Sequence, residues 1–460
     1  MNIRKIITFA AATFLSLITY ADQVRLQMVT PTPVLEMGKK SPIYVKVSLT
    51  GFEMKKTTRP PVNVSIVLDK SSSMSGDKIV KAKLAAIEAV KRLQKDDIVS
   101  VIAYDNGARV LVPATKISDP NQVIQEIEKL QPGGSTALFA GVSKGAAEIR
   151  KFLKKETVSR VILLSDGQAN QGPSTPAELG ELGMSLIKEG ISVSTIGLGN
   201  GYNEDLMSRL ASKSDGNHIF AETPESLIAA FNSEFGDVLS VVAQEVFCKI
   251  TCPEGVRPIR VLGRDADIRG QEVSVKMNQL YSNQEKFIML EVEVPASSSV
   301  NTQMVASCSL TYTNMETNVT DRLSSELSVR FSADKNIIAQ SINKEAMIAS
   351  VKLEATLRND KAIALRDQGK VKEAQEVLML NCNIINGRLS SLPSEELKML
   401  WNANKNDLDN IVDTQKFQVQ RKKMKEQNRA NVYNQKSVQS YKDLQQEEPQ
   451  EINADYLNKK

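Results

Sequence analysis

The sequence is poor in the side chains that many metal-dependent and nucleophilic enzymes use. It has one histidine, His218, in 460 residues, which excludes sites built from several histidines, including those of H-E-x-x-H proteases. A Ser–His–Asp triad would have to use that same residue. Because His218 lies in a short predicted strand after a turn, we interpret it as a surface or internally hydrogen-bonded residue rather than a catalytic one.

Cysteine is also scarce, with four residues in the chain: Cys248, Cys252, Cys308 and Cys382. Cys248 and Cys252 are four apart in a predicted strand, so their Cα atoms would be roughly 13 Å apart, too far for a bridge between them. One of them could form a disulfide with Cys308 on a neighbouring strand. The favoured alternative is that the cysteines are small buried thiols.

Strong charge of one sign is absent. The net charge is +4, and Arg4 and Lys5 are the charged residues of the first 21, so the rest of the chain carries +2. This balance does not favour nucleic acid as a partner. After residue 21, no segment approaches the roughly 18 consecutive apolar residues that a membrane span requires. We therefore expect no transmembrane segment once the first 21 residues are removed.

Residues 1–21 have the pattern of a secretory signal. A charged start precedes a mostly apolar run, Ile6–Leu17, and Thr19-Tyr20-Ala21 is an acceptable cleavage site. An uncleaved membrane anchor is the alternative. The signal predicts an exported protein, located in the periplasm, at the cell surface or outside the cell.

Composition and periodicity divide the remaining chain into five segments: N-terminal strands (22–60), an α/β segment (61–244), a β-rich segment (245–332), a helical region (333–415) and a tail predicted to be disordered, or helical only when bound (416–460). Apolar strands that alternate with amphipathic helices indicate a doubly wound, mostly parallel sheet covered on both faces. Alternating strands in the β-rich segment indicate a β-sandwich. Two N-terminal strands are not stable alone, so we favour an α/β domain inserted into a sandwich that they complete. An α/β domain merely flanked by β-structure is the alternative.

The chain is organised around the stretch from Val62 to Gly76. An apolar run that ends at Leu68 predicts a buried strand, and Asp69, Ser71 and Ser73 follow it directly. The carboxyl ends of strands are where open α/β sheets place their ligand sites. An oxygen-only cluster of this kind suits a hard cation better than zinc or copper.

Two later segments supply further oxygen ligands at the same predicted edge. Thr136 follows a flexible Gly-Gly-Ser loop at the start of a helix, and Asp166 follows the apolar strand that ends near Leu164. Mg²⁺ keeps several waters and needs one or two carboxylates, and Ca²⁺ or Mn²⁺ would also fit this set. With two carboxylates in the site, one coordination position can be offered to an external carboxylate.

The spacing Asp69-x-Ser71-x-Ser73, with Thr136 and Asp166, resembles the metal-ion-dependent adhesion site of von Willebrand factor type A domains. Residues 61–244 are similar to such a domain in the order of strands and helices. The flanking segments resemble those of exported bacterial members, inter-α-trypsin inhibitor heavy chains and calcium-activated chloride channel-like proteins. The resemblance implies a Rossmann-like fold and metal-bridged binding of a partner's Asp or Glu. It also implies that metal binding is coupled to a shift of the last helix of the domain.

The favoured function is therefore an exported, metal-dependent, adhesion-type module that binds a protein partner and is not an enzyme, because no nucleophile–base pair is visible in the sequence. The alternative is a structural or assembly factor of the cell envelope in which the metal only stabilises the domain. A metal-assisted hydrolase is a third, weaker hypothesis.

Overall fold

The computed structural model describes residues 23–54 and 59–433. The predicted signal, 1–21, and residues 434–460 of the predicted tail lie outside the described residues. Three strands precede the α/β domain: β1 (Val24–Val29), β2 (Val34–Glu36) and β3 (Ser41–Gly51). In β3 every second residue from Ile43 to Leu49 is apolar and buried. This side of the strand needs a partner sheet, which comes from much later in the chain.

The α/β domain contains a six-stranded sheet in the order β6-β5-β4-β7-β8-β9. All neighbours pair in parallel except β5 and β6. Strand β4 lies in the interior and is buried at all eight positions, as expected for a near-continuous apolar run covered on both faces. The strands are β4 (Val62–Asp69), β5 (Ile98–Tyr104), β6 (Ala108–Lys116), β7 (Val158–Ser165), β8 (Ser192–Leu198) and β9 (His218–Ala221).

Six helices cover the two faces of this sheet. They are α1 (Asp77–Lys91), α2 (Pro120–Glu128), α3 (Leu138–Arg150), α4 (Pro176–Lys188), α5 (Glu204–Lys213) and α6 (Ser226–Val238). Helices α1, α2 and α6 pack on one face through residues such as Ile79 and Phe231. Helices α3, α4 and α5 pack on the other through residues such as Val142 and Leu186. The predicted doubly wound architecture is confirmed.

The chain then returns to β-structure. Helix α6 ends at Val238, and the next strand begins at Val241, four residues before the predicted boundary at 245. The returning strands are β10 (Val241–Thr251), β11 (Arg257–Val261), β12 (Asp267–Arg269), β13 (Glu272–Tyr281), β14 (Glu285–Val294), β15 (Thr302–Asn314) and β16 (Thr320–Ser332).

These strands and the N-terminal ones form two packed sheets, in the orders β1-β3-β14-β11 and β12-β13-β10-β15-β16-β2. Their facing side chains share one apolar core, which includes Val45, Val47, Ile250 and Leu310. The N-terminal strands therefore complete the sandwich, and the α/β domain is inserted between β3 and β10.

Helices α7 (Lys335–Gln340), α8 (Lys344–Asp367), α9 (Val371–Ser391), α10 (Glu395–Asn410) and α11 (Thr414–Tyr433) form the C-terminal region. The prediction that 416–460 is disordered is wrong for residues 416–433, which form most of α11. Phe417 and Met424 bury their side chains in the helical core. Arg421 and Lys422 of the same helix pair with Glu204 at the start of α5. Charges that look solvated in the sequence thus have partners far away in the chain.

The four cysteines are buried and reduced. Cys248 lies beside Cys308 on the neighbouring strand, with the two Sγ atoms 3.1 Å apart, as two thiols in contact. No helix among the described residues has the length and apolar character to cross a bilayer.

Candidate metal centre

The candidate centre lies at the carboxyl edge of the α/β sheet and begins with Asp69, the last residue of β4. Its carboxylate is fully buried. Oδ1 accepts a hydrogen bond from the backbone N–H of Ser71 (2.8 Å), and Oδ2 accepts one from the Ser165 hydroxyl (2.8 Å) and one from Tyr104 (3.3 Å). Burial raises the pKa of Asp69, although the bonds from Ser71 and Ser165 oppose the shift. A nearby cation would favour the ionised carboxylate.

Two serine hydroxyls connect this end of β4 to the end of β7. Ser71 begins the turn that leads into a short 3₁₀ helix, Ser72–Met74, and its Oγ lies 3.0 Å from Oγ of Ser73. Ser73 in turn donates a hydrogen bond to Oδ1 of Asp166 (2.6 Å). The other oxygen of Asp166 pairs with the ammonium group of Lys78, near the start of α1. Four of the five predicted ligands therefore form one continuous polar cluster.

Thr136 reaches the same cluster from the loop before α3. Gly134 adopts φ +88°, which favours glycine, and its carbonyl accepts a hydrogen bond from the backbone of Ser72 (3.0 Å). The Thr136 backbone N–H donates to the side chain of Asn170 (2.8 Å). A Cβ atom placed on Gly167 would lie 3.4 Å from the Thr136 hydroxyl and 3.5 Å from the Ser73 hydroxyl. The structure thus brings all five predicted residues to one edge of the sheet.

The donor set consists of two carboxylates and three hydroxyls. Within residues 23–54 and 59–433, no three or more His, Cys, Asp or Glu side chains group as a metal site would require. The cluster therefore differs from acid-rich, thiolate or histidine sites. Neutral hydroxyls with one or two carboxylates fit a hard cation that retains water, and Mg²⁺ has this preference.

Comparison with known proteins identifies the domain that carries this cluster. The sequence profile of the von Willebrand factor type A domain matches residues 63–234. The chain contains a von Willebrand factor type A (VWA) domain.

Curated relatives that match part of the chain agree with this assignment. The chain is 27% identical to an uncharacterized protein of Synechocystis over 244 residues, which are 51% of this chain and 57% of that protein. It is 28% identical to the uncharacterized protein YfbK of Escherichia coli over 48% of this chain and 39% of that protein. Human inter-alpha-trypsin inhibitor heavy chain H3 matches with 27% identity over 35% of this chain and 19% of its own length. The chain thus spans about half the length or less of these curated relatives.

Solved structures extend the similarity beyond the VWA domain. The ArnB paralog VWA2 from Sulfolobus acidocaldarius aligns with a TM-score of 0.63 and 16% identity, covering 90% of this chain and 99% of that one. A von Willebrand factor type A protein from Catenulispora acidiphila has the same TM-score and identity and covers 78% of this chain and 87% of its own. At this identity the likeness concerns the fold alone.

Several residues that support the site were not predicted. Tyr104 is buried at the end of β5, and its single hydroxyl proton is shared between the Leu164 carbonyl (2.9 Å) and Oδ2 of Asp69 (3.3 Å), which fixes the hydroxyl beside Asp69. Lys78 looks in the sequence like a solvated residue in the first turn of a helix. Lys70, between the first two ligands, pairs with Asp105 in the turn after β5. Its position between Asp69 and Ser71 in the sequence could have predicted that Lys70 lies close to the cluster.

The single histidine of the VWA domain lies in the interior of the protein. Nδ1 of His218 is 2.8 Å from the Thr195 hydroxyl, and Nε2 is 3.4 Å from the Tyr202 hydroxyl. Burial lowers its pKa to about 3, and Arg429 and Lys422 of α11 add to the shift. His218 is thus a neutral, internally hydrogen-bonded residue of β9, one of the two interpretations that the sequence allows.

Proposed function

We propose that the VWA domain binds a divalent cation, Mg²⁺, through Asp69, Ser71, Ser73, Thr136 and Asp166, and that this cation takes a carboxylate ligand from a protein partner. The convergence of these five side chains at one sheet edge carries the proposal. Two carboxylates balance the charge of one divalent ion, and three hydroxyls leave room in its coordination shell. An Asp or Glu of a partner would complete that shell. Ca²⁺ and Mn²⁺ would use the same oxygen ligands.

The surroundings of the site favour an acidic partner. Lys70 and Lys78 flank the cluster, and the side chain of Lys78 is 34% exposed. Together with the carboxylates of Asp69, Asp105 and Asp166, these two ammonium groups and a bound divalent cation would give the edge a net charge of +1. Complementary charge of this kind speeds encounter and excludes wrong partners more than it adds affinity. The proposed partner is therefore a protein with exposed carboxylates, and nucleic acid is not proposed.

We propose binding rather than catalysis at this site. Domains of this family commonly mediate protein–protein interactions. The hydroxyls of Ser71 and Ser73 are engaged with each other and with Asp166, while His218 is buried between Thr195 and Tyr202. No histidine lies beside either serine, and Asp166, which accepts the hydrogen bond from Ser73, is already paired with Lys78. The signal-like residues 1–21 support export, so we propose that the partner is met outside the cytoplasm.

The proposal is tested by capture of partners from the native cell envelope with and without a chelator, using wild type and Asp69→Ala. Asp96→Ala is a matched control, because this carboxylate belongs to the same domain and its side chain is 66% exposed. We expect metal-dependent partners with wild type and Asp96→Ala, and their loss with chelator or Asp69→Ala. Identical partners in all conditions would contradict the proposal. If partners are retained while Asp69→Ala loses its stabilisation by Mg²⁺, the metal is only structural, which is the assembly-factor alternative.

A further inference from the structure

A second polar site lies where the VWA domain, the sandwich and the C-terminal helices meet. A cavity of about 410 Å³ is bounded by the ends of α4 and α5, strands β10 and β13, the loop after β11, and Tyr433 at the end of α11. Four basic and three acidic side chains line it: Lys188, Lys213, Arg264, Lys276, Asp215, Glu245 and Asp265. None of them belongs to the candidate metal centre.

Arg264 is the unusual member of this set. Its side chain is 3% exposed, yet Nε and Nη2 form no hydrogen bond to any part of the chain that the structure describes. Its nearest carboxylate oxygen, Oδ1 of Asp215, is 4.0 Å from Nη1, beyond hydrogen-bond distance. The guanidinium stacks on Tyr433, 4.6 Å from the ring centre. Buried charged groups are normally paired and hydrogen-bonded, because an unpaired one is costly.

Asp215 cannot balance the charge around it, because Arg264 and Lys286 both face it and a third buried cation, Arg429, lies near them. Nζ of Lys286 lies 3.7 Å from its carboxylate, with 4% of that side chain exposed. Arg429 also stacks on Tyr433, 4.3 Å from the ring centre, and donates to the carbonyl of Gly216 (2.7 Å). Asp215 itself also accepts a hydrogen bond from the backbone of Asn278 (2.6 Å). The cluster therefore holds more positive than negative charge.

Burial lowers the pKa of Lys286, of Arg264 and of Arg429 because it disfavours their charged forms. A neutral Lys286 would still leave two guanidinium groups facing one carboxylate. The other acidic side chains of the cavity do not supply the missing charge. Asp265 pairs with Lys213 and is 79% exposed, and Glu245 accepts a hydrogen bond from Thr313 (3.0 Å).

We propose that this cavity binds an anion at Arg264, whose enclosed edge formed by Nε and Nη2 turns toward the cavity to receive it. Nε and Nη2 lie on one edge of the guanidinium and match two oxygens of a carboxylate or phosphate group. Such an anion would contact the VWA domain, the sandwich and α11 together, and so would stabilise their arrangement. It could be a free oxyanion or a carboxylate from residues 434–460, which follow Tyr433 and contain Glu447, Glu448 and Glu451.

The test measures the melting temperature of the full chain, dialysed free of divalent cations, against increasing inorganic phosphate at constant ionic strength. A specific anion raises the melting temperature in a saturable manner, because it binds the native state. We expect this rise in wild type and a loss of phosphate affinity of about tenfold or more in Arg264→Gln. Arg269→Gln is the matched control, because Arg269 is 83% exposed and pairs with Asp267 outside the cavity.

If Arg264→Gln does not fold, Lys276→Glu provides the second variant, because Lys276 is an exposed residue of the cavity wall. Its charge reversal should weaken phosphate binding without disturbing the interior. The source of the anion is resolved by the triple variant Glu447→Gln, Glu448→Gln, Glu451→Gln. If phosphate stabilises this variant but not wild type, the chain's own carboxylates occupy the site. The proposal would be overturned if phosphate raised the melting temperature of neither wild type nor the triple variant in a saturable manner. It would also be overturned if the melting temperature rose equally in wild type, Arg264→Gln and Arg269→Gln.

Discussion

The two ends of strand β7 carry polar clusters of opposite design. At its carboxyl end, Asp166 belongs to an oxygen cluster that reaches solvent beside the partly exposed Lys78. Near its amino end, Arg160 is completely buried and pairs with Glu234 of α6, which is also completely buried. The carboxyl end is the site at which we propose that a cation and a partner bind, whereas the amino end holds one fixed set of contacts.

The amino-end cluster crosses the boundary between the VWA domain and the sandwich. Arg160 donates to Gln279 and to the hydroxyl of Tyr281 (2.7 Å), both on β13 of the sandwich. Glu234 accepts a hydrogen bond from Asn217 (2.8 Å). Among the atoms of Arg160, Nε alone lacks a hydrogen bond within the described part of the chain. Under the proposed function, the sheet would bind at its carboxyl edge while the buried contacts of Arg160 keep its amino edge joined to the sandwich.

The strongest test of this comparison is Arg160→Met. This substitution leaves Glu234 as a buried, uncompensated charge, so we expect the free energy of unfolding to fall by about 3–5 kcal/mol. Urea unfolding followed by circular dichroism measures the change. The double variant Arg160→Met, Glu234→Leu should recover much of the loss, because both charges are removed together. A loss below about 1 kcal/mol in the single variant would mean that the junction does not depend on this pair.

The opposite end should respond to metal instead. At a Mg²⁺ concentration 100 times its dissociation constant, wild type should gain about 2.7 kcal/mol of unfolding free energy. Asp69→Asn should abolish this gain while changing metal-free stability by only about 1 kcal/mol, because the carboxylate it replaces is buried without a basic partner. Thermal unfolding with and without Mg²⁺ measures both quantities, and Asp96→Asn serves as the control. An equal gain in wild type and Asp69→Asn would place the metal elsewhere.

The β9 edge of the sheet is covered by α11 and holds two titratable groups with opposite effects. The pKa of His218 is lowered from 6.5 to about 3 by burial, so its contribution to stability is present above pH 6.5 and is lost as pH falls. Burial raises the pKa of Glu426 from 4.5 to about 7, and its carboxylate accepts a hydrogen bond from the Phe220 backbone (3.3 Å). The contribution of Glu426 is present below pH 4.5 and is lost as pH rises towards 7.

In wild type, His218 and Glu426 change the unfolding free energy in opposite directions as pH falls. Variants that remove one group at a time should therefore separate the two effects. In Glu426→Gln, His218 acts unopposed by this neighbour, and unfolding free energy should fall by up to about 1.4 kcal/mol per pH unit below pH 6.5. In His218→Asn, Glu426 remains, so its contribution should make the unfolding free energy rise as pH falls from about 7 to about 4.5. The pKa of Asp407, raised to about 7 by burial, adds a slope like that of Glu426 but is common to both variants. Equal slopes in the two variants, measured by urea unfolding from pH 4.5 to 7, would contradict the assignment.

The meeting of the candidate ligands at one sheet edge was predictable from the sequence, because Asp69 and Asp166 follow recognisable strands. The apolar run before Asp69 and the one before Asp166 predict neighbouring buried strands, and parallel strands end at the same edge. The amino-end cluster was not predictable. Arg160 lies 74 residues from Glu234 and 119 residues from Gln279, so no local pattern reveals the network. Helix α11 was missed for the same reason, since its charged residues gain partners only in the folded protein.

The smallest effect we expect is the change in Mg²⁺ affinity on substitution of Lys78, a residue that the sequence did not predict to lie at the site. Its ammonium already balances Asp166, so a divalent cation must displace or share this pair when it binds. Lys78→Met should therefore raise Mg²⁺ affinity by about three- to fivefold, since a partly exposed ion pair contributes up to roughly 1 kcal/mol. Calorimetric titration with Mg²⁺ measures the change, and Lys91→Met, at the exposed end of the same helix, is the matched control. A lower affinity in Lys78→Met would show that Lys78 orients Asp166 for the metal rather than competing with it.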